Sequence, residues 1–132
     1  MKDTNTLVEI LLATYNGAKY LSELLDSIVN QTYKNIRILI HDDGSTDETR
    51  NIIKEYTQRY PDKITFIDDG VKTNGSTWNF EHLMKFSTAE RIMFADQDDV
   101  WLPEKVEISL NNINELEKVY GNQTPLLVYT TQ

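Results

Sequence analysis

Apolar and polar positions along this chain fall into two alternating kinds of block. Residues 7–13 are apolar except for Glu9, 36–40 except for Arg37, and 91–95 except for Arg91. Runs of this length predict strands buried between neighbours. A shorter third strand is expected over 63–67, and a fifth apolar run lies at 126–130. Between these runs the apolar residues take helical spacing: Leu21, Leu24, Leu25, Ile28 and Val29 within 18–31, then Ile52, Ile53 and Tyr56 on a helix that stops before Pro61. Phe80, Leu83, Met84 and Phe86 mark a third helix over 76–87. A fourth is opened by Pro103 at its first position and closed by Gly121, with Val106, Leu110, Ile113 and Leu116 among its apolar positions. Strands alternating with helices predict an α/β fold with a mostly parallel sheet, right-handed crossovers and helices on both faces.

Polar clusters stand at the strand ends. Thr14-Tyr15-Asn16-Gly17 follows the first strand, His41-Asp42-Asp43 the second, and Asp96-Gln97-Asp98-Asp99 the fourth. Ligands of open α/β sheets sit outside the carboxyl ends of strands, so the three clusters are expected to share one crevice. The last cluster is the most informative, because crowded like charges repel unless a cation relieves them. Hard divalent ions prefer oxygen ligands and often combine one or two carboxylates with substrate phosphates. In an extended backbone Asp96 and Asp98 project to one side and Asp99 to the other. The competing reading is an acidic turn that caps the next helix. Trp101 is expected to anchor the loop by packing.

The other polar residues leave more open. One of Asp42 and Asp43 accepts hydrogen bonds from a base or ribose, or the pair builds an Asx turn with Gly44 while Ser45 or Thr46 caps the next helix. Asp47 reads as a helix-start charge. Tyr15 offers an aromatic face for a base, or packs at the rim. His41 faces away from Asp42 and reads as structural. His82 has no partner in sequence and is expected in solvent. Trp78, Asn79 and Phe80 either line the crevice or pack in the core.

The chain has 132 residues, enough for one domain, with 39% hydrophobic and 26% charged residues, which permits a packed core. Its net charge of −8 argues against nucleic acid as a partner. A phosphorylated ligand would then need a metal or well-placed amides. There is no cysteine, hence no disulfide or thiolate site. No run is long enough for a signal peptide or a membrane span. Glycine-rich phosphate loops of the usual spacings are absent, as are serine–histidine and cysteine–histidine pairs suited to a covalent hydrolase.

Four segments occur in the order and spacing of one family: Leu11-Leu12-Ala13-Thr14-Tyr15-Asn16-Gly17, Ser27-Ile28-Val29-Asn30-Gln31-Thr32-Tyr33, Asp42-Asp43-Gly44-Ser45-Thr46-Asp47 and Asp96-Gln97-Asp98-Asp99-Val100-Trp101. From residue 7 to 130 the chain resembles the N-terminal part of family 2 glycosyltransferases. The Asn79-Phe80 and Asp-Gln-Asp-Asp-Val-Trp forms resemble a bacterial branch with rhamnosyltransferase-like enzymes of surface-polysaccharide synthesis. The resemblance implies the GT-A fold, a Rossmann-like sheet, and transfer of a sugar, with inversion, from a UDP- or dTDP-linked donor to a glycan or lipid-linked acceptor.

Carried over by this resemblance, Tyr15 stacks near the base, Asp43 bonds it, and main-chain groups of Ala13 and Thr14 approach the nucleoside. Asp96 contacts the ribose or the water shell of the metal, and Asp98 ligates Mn²⁺ or Mg²⁺. The resemblance also implies a cytoplasmic enzyme, peripheral at the inner face of the membrane. Members run well past 200 residues, so residues 1–132 are expected to be a donor-binding part without the C-terminal acceptor half. Glu104, Glu107, Glu115 and Glu117 do not match the family's base position, so no catalytic base is assigned, and the piece alone is expected to be inactive and to self-associate through exposed apolar surface. Rival readings are a nucleotide- or metal-binding module without catalysis, a sugar-phosphate nucleotidyltransferase, disfavoured because residues 14–20 hold only Lys19 as a basic group, and a receiver domain, whose acid pair would follow the first strand.

Overall fold

The computed structural model describes residues 5–121; the apolar run at 126–130 lies outside them. Strand β1 (Val8–Thr14) is followed by α1 (Ala18–Val29), β2 (Ile36–Asp42), α2 (Thr49–Arg59), β3 (Ile64–Phe66), α3 (Ser76–Met84), β4 (Arg91–Asp96) and α4 (Lys105–Tyr120). The four strands are parallel in the order β3-β2-β1-β4. All seven residues of β1 are buried because it pairs on both edges and is covered on both faces. Ile10, Leu12, Ile38 and Ile40 face one core with Leu21, Leu24, Leu25 and Ile28 of α1, Ile53 and Tyr56 of α2, and Val106 and Leu110 of α4. Leu11, Ala13 and Leu39 face the other side, under Leu83 and Phe80 of α3. Each fully buried large aliphatic contributes about 1.5–3 kcal/mol.

Polar groups inside this frame lock elements together. The buried Gln31, just past α1, accepts from Val106 N–H at 2.9 Å and donates to the carbonyls of Leu102 and Ser27 at 2.7 and 3.1 Å. It therefore holds the start of α4. Trp101 is buried beside it, as expected, with its backbone N–H donating to the Ser27 hydroxyl at 3.0 Å.

Several expectations need correction. Helix α4 begins at Lys105, and Pro103 precedes it, its carbonyl accepting from Thr32 N–H at 2.8 Å. Helix α3 ends at Met84, because Ser87, Thr88 and Ala89 turn aside to the buried carboxylate of Glu9. Neither Ser45 nor Thr46 caps α2; its first amide, Thr49 N–H, donates to Asp47 at 2.9 Å. Strand β4 is not fully buried: it is an edge of the sheet among the described residues, and Ile92 and Phe94 are exposed. Trp78 is exposed on α3 instead of packed in a core.

Candidate functional site

The loops after β1, β2 and β4, joined by the segment after β3, surround a cleft of about 840 Å³ at the carboxyl ends of the strands. Ala13, Thr14, Tyr15, Asp43, Asp96 and Asp98 all line it. The convergence expected from the strand-end clusters is therefore present, although Asp98 reaches the cleft differently. The backbone turns after Asp96 instead of staying extended, and Asp99 N–H donates to the Asp96 carbonyl at 3.1 Å. Asp99 is not among the lining residues.

The two acids after β2 divide their work. Asp42 is buried and accepts from the hydroxyls of Thr14 and Ser45 at 2.7 and 2.6 Å and from Ser45 N–H at 2.8 Å. It also accepts from Gly44 N–H at 3.2 Å, and Arg50 lies 3.6 Å away. This is the Asx-turn reading, and it belongs to Asp42. Gly44 has φ +90, and a Cβ there would meet Lys72 Cε at 3.0 Å, so the turn requires glycine.

Asp43 instead faces the cleft. One of its oxygens accepts from both the N–H and the hydroxyl of Thr73, the other from Gly75 N–H at 3.1 Å. Burial pushes its carboxyl up, but these bonds, with the amide of Asn74, hold it below the usual carboxylate range.

Tyr15, also lining the cleft, is 55% exposed. Its backbone is clamped by a residue that the sequence reading left without a role. Gln97 accepts from Tyr15 N–H and donates to its carbonyl, both at 2.8 Å. The clamp explains Gly17, where a Cβ would meet Gln97 Oε1 at 2.3 Å. Asn16 and Asp47 tie the neighbouring loops: Asn16 N–H donates to Ser45 and its side chain accepts from Thr46 N–H, while Asp47 accepts from Ala18 N–H at 3.2 Å.

In the acidic loop, partial desolvation pushes the Asp96 carboxyl up, and the negative charges of Asp99 and Asp98 push it further. This is the signature of a carboxylate group short of positive charge. Asp98 is exposed at the cleft wall. The donor set is all oxygen and fits a hard divalent cation.

Asn79 lines the cleft, one of the two places the sequence allowed it, and Lys72, Asn74, Gly75 and Ser76, which were not singled out from sequence, line it too. The strand-end argument, extended to the loop after β3, would have found Lys72. His82 corrects another expectation. Its side chain is 15% exposed and bonds Asp69 at 2.7 Å, so it is not in open solvent.

Comparisons with known proteins agree with this geometry. Residues 9–125 match the family model described as glycosyl transferase family 2. The dTDP-rhamnosyl transferase RfbG of Shigella flexneri is 39% identical over 103 residues, covering 76% of this chain and 36% of that protein. Among solved structures, S. aureus TarS 1–349 in complex with UDP-GlcNAc superposes with a TM-score of 0.67 at 25% identity, over 82% of this chain and 31% of that one. The mannosyltransferase of Pyrobaculum calidifontis, solved with GDP-Man and Mn²⁺, shares the fold at a TM-score of 0.66 and 24% identity, over 76% and 30%. The chain spans about a third of the length of the curated relatives it matches.

Proposed function

The chain belongs to glycosyl transferase family 2, and from that premise we propose that its cleft holds the nucleoside diphosphate of a sugar donor. The observation that carries this reading is the convergence of an exposed aromatic, a carboxylate oriented by loop amides and a crowded acid cluster on one cleft. Tyr15 stacks on the base. Asp43 accepts from the base. Main-chain groups of Ala13 and Thr14 border the nucleoside. Asp96 meets the ribose or the water shell of the metal, and Asp98 holds Mn²⁺ or Mg²⁺. The bound ion would neutralise charge on the leaving diphosphate. The base is uracil or thymine, a choice supported by the named donor of RfbG and by the ligand of TarS.

The whole enzyme transfers the sugar with inversion to a glycan or lipid-linked acceptor in bacterial surface-polysaccharide synthesis. Inversion requires a base that deprotonates the acceptor hydroxyl. We assign that base to no residue of this chain, and residues 1–132 form one donor-binding unit that does not turn over alone. No helix of the described residues is long and apolar enough to cross a membrane. We place the enzyme in the cytoplasm, peripheral at the inner face of the membrane where lipid-linked acceptors lie. Family membership decides against the nucleotidyltransferase and receiver-domain readings.

Calorimetric titration with UDP and dTDP, with and without Mn²⁺, tests the proposal. Binding is expected to depend on the metal and to weaken at least about 10-fold in Asp98→Ala, a loss of about 1.4 kcal/mol. Metal-independent binding, or equal binding by the variant, would remove the assignment of Asp98. A measurable transfer rate from residues 1–132 would overturn the claim that this unit is incomplete.

A further inference from the structure

At the end of β2, beside α3, three side chains come together outside the acidic loop. His41, near the end of β2, is 1% exposed, and its Nε2 lies 2.9 Å from Asp69 Oδ1. His82 Nε2 lies 2.7 Å from Asp69 Oδ2. The three ligand atoms are all within 4.8 Å of one another, and the two imidazoles meet edge to face at 4.6 Å.

The surroundings determine the proton on His41. Asn79 Nδ2 donates to the His41 carbonyl at 3.1 Å, which fixes the amide and turns Asn79 Oδ1 toward His41 Nδ1 at 2.8 Å. Nδ1 must therefore carry a proton. A neutral His41 then aims the lone pair of Nε2 at a carboxylate oxygen. Two acceptors at that distance require something positive between them. Asp69 is itself oriented by Val71 N–H at 3.0 Å. A ring N–H held by an amide oxygen, with the facing carboxylate held by a backbone amide, is the support that metal-ligating residues receive.

We propose that His41, Asp69 and His82 form a binding site for a divalent transition ion, Zn²⁺ by ligand type, with water as the fourth ligand. Two imidazoles and one carboxylate suit Zn²⁺ and disfavour Mg²⁺. Tetrahedral bonds of about 2.0–2.2 Å need ligand atoms near 3.4 Å apart, so the two histidine–carboxylate contacts, 2.9 and 2.7 Å, must each lengthen by roughly half an ångström or slightly more to admit the ion. Asp69 and His82, 28% and 15% exposed, leave a path for the ion and the water. The ion would tie β2, α3 and the loop after β3 together. That loop also supplies the amides of Thr73 and Gly75 that hold Asp43, so the site would brace one wall of the cleft.

The inference does not rest on the donor reading, and its test is run with Asp98→Ala so that the acidic loop does not report. Zn²⁺ is titrated calorimetrically into this variant at neutral pH, and Co²⁺ binding is followed by visible absorption. One equivalent is expected, with the absorption of a four-coordinate Co²⁺ site. Adding His82→Ala is expected to weaken Zn²⁺ binding about 100-fold or more, beyond what loss of a supporting residue costs. Circular dichroism checks the fold, and Asp69→Asn serves if the alanine variant does not fold. No bound Zn²⁺, or equal affinity in a folded ligand variant, overturns the site and leaves a proton bridging His41 and Asp69.

Discussion

Glu9, the second residue of β1, is 1% exposed, and a charge has no place there unless its acceptors are filled. One of its oxygens accepts from the Ser87 hydroxyl and from the N–H groups of Thr88 and Ala89 at 2.7–2.8 Å. Arg37 stands 3.8 Å from the other but is 45% exposed, so it adds little. Burial pushes the Glu9 carboxyl up; the three hydrogen bonds and Arg37 outweigh it and hold the group below its ordinary value of 4.5. Because the folded-state value is depressed, the stabilisation is complete above the ordinary value and is lost as pH falls through the folded one. Glu9→Ala strands the donors of the turn that feeds β4 and should cost about 3 kcal/mol in urea unfolding at neutral pH. The gap between this variant and the parent should shrink below about pH 4. A gap that stays constant into acid would show that Glu9 does not act through its charge.

Among the elements, the β1–α1 turn and the acidic loop are coupled through a single side chain. Gly17 has φ −109°, which any residue adopts, so what it supplies is room for Gln97. Gly17→Ala should expel that side chain and break both bonds to the Tyr15 backbone, costing about 1–2 kcal/mol. In a Gln97→Ala background the same substitution should cost less than about 0.5 kcal/mol, the level at which independent sites add. Equal cost in both backgrounds, read by urea unfolding, would refute the coupling. This kind of link marks where reading the sequence stops. Periodicity reaches Leu21, Leu25 and Ile28, and strand ends place Tyr15, Asp43 and Asp98 at one cleft, because both depend on local spacing and one topological rule. The bond from Gln97 to Tyr15 joins residues 82 positions apart, and Asp69 meets His41 across 28 positions. No local pattern encodes either. His82 looked solitary for the same reason, and Asp47, not Ser45 or Thr46, receives the first amide of α2 because the two loops pack on each other.

At the scale of the whole molecule the sheet is covered unevenly. Helices α1, α2 and α4 contribute to the core on one face, while α3 covers the other. On the α3 side, Phe94 packs edge to face on Phe80 at 5.1 Å yet stays 47% exposed. Ile92, Met84 and Phe86 are 36%, 50% and 45% exposed. Among the described residues β4 is an edge strand, and an edge bearing exposed apolar side chains is a template for pairing with another chain. The net charge of −8 opposes such contact between copies. Screening weakens that repulsion, since the Debye length falls from about 8 Å at physiological salt to about 3 Å at 1 M. Apolar burial is not screened, so self-association of residues 1–132 should rise with salt. Light scattering after size exclusion should show the mass increasing with both concentration and salt, and Phe94→Ser should reduce the increase. A monomer that persists over a wide concentration range in 1 M salt would exclude this face as a site of association. A mass that falls with salt would instead assign the contact to charge.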